Sequence, residues 1–165
     1  MDLNNVVFSK EQVTDLFGKQ LVAAIGYATN MPDVNDEMGI KFKGKNKKNI
    51  VWLIEIDDHL FLNDADFQFL TKVIEACRLN LDDIALINMN DAANQFKLII
   101  NQLNPVLLLA SGISANKISF KTQLYTIEQT NGFTLFITNS IEDMRKDAVK
   151  KSKLWVGLKQ ILSIN

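Results

Sequence analysis

The chain has 165 residues, of which 47% are hydrophobic and 22% are charged, and its formal net charge is −1. This composition is that of an ordinary globular domain, and the near-neutral charge excludes a protein that its overall field steers to nucleic acid or membrane. The single cysteine, Cys77, excludes an internal disulfide and any multi-cysteine metal site. Because neither a leader-like segment nor a run of about 20 apolar residues occurs, we expect a cytoplasmic protein without membrane contact.

The first 48 residues are predicted to lie outside the core. Ser9 and Gln12 fit a capping box, and apolar residues then recur at helical spacing over residues 9–28. Residues 29–49 hold a proline, two glycines and five lysines, which is typical of an exposed segment. We therefore predict an N-terminal helix and a mobile, lysine-rich connection over residues 1–48.

Strand-like and helix-like segments alternate from residue 49 to the C-terminus. The run 50–54 is apolar without alternation, which is typical of a strand covered on both faces of a parallel sheet. We predict further strands at 84–87, 106–109, 122–127 and 133–138, and helices at 64–79, 91–103, 113–119 and 147–163. Residues 49–165 are thus predicted to form a three-layer α/β/α domain with a mostly parallel sheet of about four strands.

Ligands of such sheets usually lie beyond the carboxyl ends of the strands. Asp57, Asp58 and His59 follow the first strand, Asn88 follows the second, and Ser140 follows the last. An acid and a histidine there suit acid–base chemistry, but adjacent side chains of an extended segment point in different directions, so a solvated loop is the alternative. A single histidine cannot build a His-rich metal site, and neither phosphate-binding loop motif occurs, so we predict no metal and no cofactor.

Basic residues concentrate in residues 41–48 and in the region that begins at residue 145. They are either solvated surface charges or phosphate contacts, and phosphate contacts would make DNA affinity fall steeply with salt. If the chain contacts DNA, the candidate residues are Lys43, Lys45, Arg145, Lys150 and Lys151.

The most specific pattern in the chain lies near its C-terminus. Residues 138–158 resemble the C-terminal signature of the uracil-DNA glycosylase superfamily, in which a strand ends in a His-Pro loop and a basic helix with a Trp and a Leu follows. The matching residues are Met144, Asp147, Lys151, Trp155 and Leu158. The resemblance extends backward through Ile87-Asn88 and Ile54-Glu55, and it implies a glycosylase-like α/β fold over about residues 50–162.

The same resemblance implies a ligand pocket. Phe61 lies near the position of the aromatic residue that stacks on uracil, and Asn88 matches an asparagine that contacts the base. The pocket implied in this way contains Asp57, His59, Phe61, Asn88 and Ser140.

Departures from the glycosylase pattern argue against catalysis. Ile56-Asp57-Asp58 replaces the glycine-rich first motif, and Ser140 occupies the slot of the catalytic histidine. Cleavage at a flipped base requires stabilisation of negative charge on the leaving uracil, which a neutral serine does not supply. The ancestral catalytic positions, Asp57, Asp58, Asn88 and Ser140, are therefore not expected to form an efficient active site.

A second resemblance is to the psi-subunit family of bacterial DNA polymerase III, which has the glycosylase fold without the active site. Its C-terminal signature is similar to Ile141, Asp143-Met144-Arg145, Asp147 and Leu154-Trp155, and the start of its first core helix is similar to Leu62-Asn63-Asp64. This resemblance implies protein partners, such as a clamp loader or a single-strand-binding complex.

Three functions follow as alternatives. The first is a non-catalytic adaptor in DNA replication or repair. The second is a divergent DNA glycosylase or nucleobase-binding hydrolase that uses Asp57, Asp58, His59 and Asn88. The third is a DNA-binding module that uses the basic residues.

Overall fold

The computed structural model describes residues 34–37, 39–56, 62–90 and 95–164. The chain divides into two units, 1–32 and 33–165, and every described residue belongs to the second. The helix predicted over residues 9–28 lies outside the described residues, as do Asp57, Asp58, His59 and Phe61.

In these described segments, seven strands form one sheet: β1 (Val34–Glu37), β2 (Ile40–Gly44), β3 (Ile50–Ile54), β4 (Ile84–Asn88), β5 (Leu107–Ser111), β6 (Ile127–Gln129) and β7 (Thr134–Thr138). Their order across the sheet is β1-β2-β4-β3-β5-β7-β6. Strands β4, β3, β5 and β7 are parallel to their neighbours in this central block, whereas β1, β2 and β6 pair antiparallel at the two edges. The predicted α/β class is confirmed, but the sheet is mixed and has seven strands instead of about four.

Helices cover both faces of this sheet. Four α-helices lie within the described residues: α1 (Asp64–Ala76), α2 (Phe96–Leu103), α3 (Ile141–Lys146) and α4 (Ala148–Leu162). On one face Trp52 of β3 joins a core cluster with side chains of α1, α3 and α4, and on the other Leu53 joins a cluster with α2. Because both faces are covered, every residue of β3, β4 and β5 is buried, as their continuous apolar character predicts.

The lysine-rich segment 41–48 is not a mobile connection, and this part of the prediction is wrong. Strand β2 pairs with β4, and Ile40 and Phe42 are buried in the core on the α2 face. The following turn is also tied to the fold, because the backbone N–H of Asn46 donates to the carbonyl of Ile84 at 3.0 Å. Apolar and lysine residues alternate along β2, which is the period of a strand with one buried face. The sheet therefore begins before residue 49.

The C-terminal region contains two helices where the sequence predicts one. Helix α3 ends at Lys146, and α4 begins after Asp147, whose carboxylate caps it by accepting from the backbone N–H groups of Val149 at 2.8 Å and Lys150 at 3.2 Å. Leu154 and Leu158 are buried as predicted, while Trp155 is partly buried and packs against the same core. In the described part of the chain, no helix has the length and apolar character needed to cross a membrane.

Candidate functional site

A cleft of about 220 Å³ opens at the carboxyl ends of β3 and β5, against the first turns of α1 and α3. The chain leaves β3 toward α1 on one face of the sheet, and it leaves β5 toward a 3₁₀ turn, Ala115–Ile118, on the other. The cleft therefore lies at a topological switch point, where ligands of open α/β sheets usually bind. Its polar lining comes from Glu55, Asn63, Asp66, Ser111, Ser140 and Glu142.

The structure brings one predicted pocket residue to this cleft and holds another away from it. Ser140 lies on the cleft, where its hydroxyl caps α3 by accepting from the backbone N–H of Asp143 at 3.2 Å. Asn88 is not among the lining residues, because its side chain binds the backbone that follows β3. Its Oδ1 accepts from the N–H of Ile56 at 3.3 Å, and its Nδ2 donates to the carbonyl of Ile56 at 3.4 Å.

A chain of buried hydroxyl groups crosses three strands beneath the cleft. Trp52 Nε1 donates to Ser111 Oγ at 2.8 Å, Ser111 Oγ lies 2.8 Å from Thr138 Oγ1, and the Thr138 hydroxyl donates to the carbonyl of Asn139 at 3.1 Å. Since each hydroxyl has one proton, Ser111 donates to Thr138. Trp52, Ser111 and Thr138 are each at most 2% exposed. The proton of Ser111 is therefore used within the fold.

Asp66 is a buried carboxylate at the cleft that the sequence analysis did not select. It is 5% exposed, and its two oxygens accept from Asn63 Nδ2 at 2.8 Å and from Arg145 Nε at 2.5 Å. Asn63 in turn caps α1 by accepting from the backbone N–H of Asp66 at 2.9 Å. An unpaired carboxylate at this depth would be strongly destabilising, so Arg145 is held by Asp66 instead of being available to a phosphate. The spacing of a capping asparagine and an acid three residues later was a sequence signal for the contact of Asn63 with Asp66, but not for the pairing of Asp66 with Arg145.

The other two carboxylates of the cleft also pair with lysines of the same chain. Glu55, which is 19% exposed, accepts from Lys117 of the 3₁₀ turn, and Glu142 accepts from Lys146 one turn further along α3. Within residues 39–56, 62–90 and 95–164, each carboxylate that lines the cleft is therefore matched by a cation from within the fold.

The predicted phosphate contacts are spread over the two ends of the sheet. Lys45 pairs with Asp82 at 3.0 Å in the turn before β4, at the amino end, and Arg145 lies at the carboxyl end. Hydrogen bonds from Lys45 and Lys47 lower the pKa of the Asp82 carboxyl below its ordinary value. Lys150 lies 3.9 Å from a carboxylate oxygen of Asp143.

The remaining two predicted contacts, Lys43 and Lys151, lie over aromatic rings of α1. Their Nζ atoms are 5.8 Å from the ring centroid of Phe67 and 5.7 Å from that of Phe69, respectively. Four of the five basic residues therefore contact side chains of α1 or α3, whereas Lys45 pairs with a carboxylate before β4.

No protein-family model matches this sequence, and no curated protein is significantly similar to it. The resemblance to the uracil-DNA glycosylase superfamily therefore stays a prediction. What the structure defines is an α/β domain with a mixed seven-stranded sheet and a small polar cleft at its switch point.

Proposed function

We propose that the protein is a non-catalytic adaptor with a glycosylase-like α/β domain, acting through protein–protein contacts in DNA replication or repair. The main observation behind the proposal is that the polar side chains of the cleft at the carboxyl ends of the strands already have partners within the chain. Among the residues that the structure describes there, the hydroxyl groups cap a helix or join strands, and the carboxylates pair with cations of the same chain. The buried side chains of Ser111 and Asp66 are thereby engaged within the fold, whereas the exposed pair of Glu142 and Lys146 contributes little to stability.

An indirect link between the two psi-like motifs also favours an adaptor. Leu62-Asn63-Asp64 and Asp143-Met144-Arg145 lie far apart in the sequence, but Asp66, two residues after the first motif, accepts from both Asn63 and Arg145. Met144 is fully buried and belongs to the core cluster on the same face. The residues that carry the resemblance therefore form a structural junction between α1 and α3, which a protein without catalysis can retain.

The small volume of the cleft and the neutral side chain of Ser140 also argue against catalysis. Its volume of about 220 Å³ lies below the roughly 300–1,000 Å³ of typical small-molecule sites. Ser140, in the slot of the catalytic histidine, is neutral and already caps α3, so it supplies no positive charge to a leaving base.

The alternative is a divergent DNA glycosylase or nucleobase-binding hydrolase that uses Asp57, Asp58 and His59. One observation favours it: these residues directly follow Ile56, which lines the cleft at the switch point. Against it stands Asn88, since the amide that would contact a base is engaged with the backbone of Ile56.

The adaptor is tested by purifying the tagged full-length protein from its native cells and quantifying the proteins that co-elute. We expect clamp-loader or single-strand-binding proteins to be enriched over a tag-only control. The enrichment should survive nuclease treatment, because the contact is between proteins. Recovery of the protein alone, or enrichment that nuclease abolishes, would contradict the proposal.

A further inference from the structure

Helix α4 carries apolar side chains on two opposite faces. Its inner face buries Leu154 and Leu158 against the sheet, each 1% exposed. On its outer face Val149 is 63% exposed and Val156 is 58% exposed. These valines are seven residues apart, so they lie on the same side of the helix and about 10.5 Å apart along its axis. A helix with a second apolar face suits contact with something besides its own core.

The charged residues of α4 all have the same sign. The helix has four lysines, Lys150, Lys151, Lys153 and Lys159, and no acidic residue. Within the described part of the chain, Lys150 is the one member of this set that makes an ion pair, with Asp143 at 3.9 Å. Lys153 is exposed and lies between the two valines on the helix surface, being four residues after one and three before the other.

Tyr125 fixes an aromatic ring beside this surface. Its φ of +61° lies in the left-handed region, which a non-glycine residue keeps only where its surroundings hold it there. Its backbone N–H donates to the carbonyl of Ile137 at 2.7 Å, and its hydroxyl donates to Asn139 Oδ1 at 2.7 Å. Lys153 Nζ lies 5.6 Å from the centre of the ring.

We call the set Tyr125, Val149, Lys153 and Val156 the α4 patch. It combines exposed aliphatic groups, a lysine and a tyrosine held in one orientation, and tyrosine is a residue type enriched at protein interfaces.

We propose that the α4 patch binds an acidic segment of a protein partner that also carries apolar side chains. Acidic groups would complement Lys153 and Lys159, which lie three residues before and after Val156, and the apolar side chains would cover the valines. A nucleic-acid backbone would satisfy the lysines but would leave Val149 and Val156 without an apolar partner, so the patch favours protein. The inference rests on the proposed adaptor function and specifies the surface and the chemistry of its partner.

The test places a photo-crosslinking amino acid at Val156 in the full-length protein, in its native cells. The matched control is Val106, a valine of similar exposure at 56% that lies in the turn before β5 and not on α4. We expect Val156 to crosslink to a peptide with an excess of acidic residues, and Val106 to give no such product. Adding Lys153→Glu should abolish the product, whereas Lys153→Arg should retain it. Unchanged urea unfolding of both lysine variants shows that they fold.

Several results would overturn the inference: a crosslink to nucleic acid, equal products at both valines, a captured peptide without an acidic excess, or insensitivity to Lys153→Glu. Failure of the patch and failure of the adaptor are distinguishable. If partners co-purify with the tagged protein but Val156 gives no crosslink, the α4 patch is wrong and the adaptor stands. If no partner co-purifies and no crosslink forms, both are wrong.

Discussion

Ser111 lies at the edge of the cleft, but its contacts belong to the fold. It accepts from the buried indole N–H of Trp52 and donates to Thr138, so it joins three strands by side-chain hydrogen bonds. Asn88 and Asp66 act in a similar way, one on the backbone after β3 and the other on Arg145. At the scale of residues, the polar groups near the cleft have structural partners.

Ser111→Ala should destabilise the protein by about 1–3 kcal/mol, because it leaves the N–H of Trp52 buried without an acceptor. The measurement is urea unfolding followed by the fluorescence of the tryptophans. Ser114→Ala is the control: Ser114 is exposed and makes no capping hydrogen bond, so its effect should stay within about 0.5 kcal/mol. Equal effects of the two substitutions would contradict the buried hydroxyl chain.

Cys77 predicts a dependence of stability on alkaline pH. Burial raises the pKa of its thiol from 9.0 to about 11. The folded state therefore keeps the proton at pH values where the unfolded state loses it, so this contribution is complete below pH 9 and disappears as pH rises toward 11. Urea midpoints measured across that range should fall less steeply for Cys77→Ala than for the original protein. Identical slopes would show that the thiol is not buried as described.

Among the elements, strand β2 can be tested through the two glycines that lie just before it and at its end. Gly44 has a φ of +99°, and a Cβ placed on it would lie 2.1 Å from the carbonyl oxygen of Ile84. Gly39 has a similar φ of +91° but open space around its Cα. The two glycines therefore share backbone strain and differ in packing.

Gly39→Ala should cost only the left-handed strain, about 1–2 kcal/mol. Gly44→Ala should add an overpacking penalty of about 1–3 kcal/mol or more, because the atom it meets is backbone. Urea unfolding of both variants measures the difference. If Gly44→Ala were no worse than Gly39→Ala, β2 would not pack against β4 as described.

The sequence predicts well those strands and helices that a pattern of consecutive residues identifies. Continuous apolar runs identify β3, β4 and β5, because strands buried on both faces need no polar side. Strand β2 was missed because its alternating lysines resemble a solvated loop, although the period of two was present. Helix α3 was missed because six residues with Ile141 and Met144 as their buried positions are too few to show a helical period.

The site was less predictable than the fold because its contacts are distant in sequence. The strand ends correctly placed Ser140 at the carboxyl edge of the sheet. The pairing of Arg145 with Asp66 joins residues 79 positions apart, and the contact of Asn88 with Ile56 depends on how two strands align. Such partners follow from tertiary structure, and no local pattern specifies them.

For the molecule as a whole, the ion pairs that Lys45, Arg145 and Lys150 make within the chain argue against a strong DNA-binding surface. Five phosphate contacts would make log affinity for single-stranded DNA fall with log salt at a slope of about −3.5, so we expect a slope shallower than about −1.5. Asp82→Asn removes the partner of Lys45 and Lys47 and should strengthen binding at low salt. Fluorescence anisotropy with a labelled oligonucleotide gives both values, and a slope near −3.5 would support a DNA-binding module.

Two surfaces of the fold differ in their exposed groups: the cleft at the carboxyl ends of the strands and the outer face of α4. The cleft at the switch point is small, and its carboxylates are paired, whereas α4 presents exposed valines among lysines. In the proposal the chain retains a catalytic architecture and interacts through a helix surface.

The most direct measurement is release of uracil from a single-stranded oligonucleotide by the purified full-length protein, compared with an enzyme-free blank. The predicted result is no release above the blank, because Ser140 is a neutral helix cap and Asn88 is bound to Ile56. Release that Asp57→Asn or Asp58→Asn abolishes would contradict the adaptor and establish the glycosylase alternative.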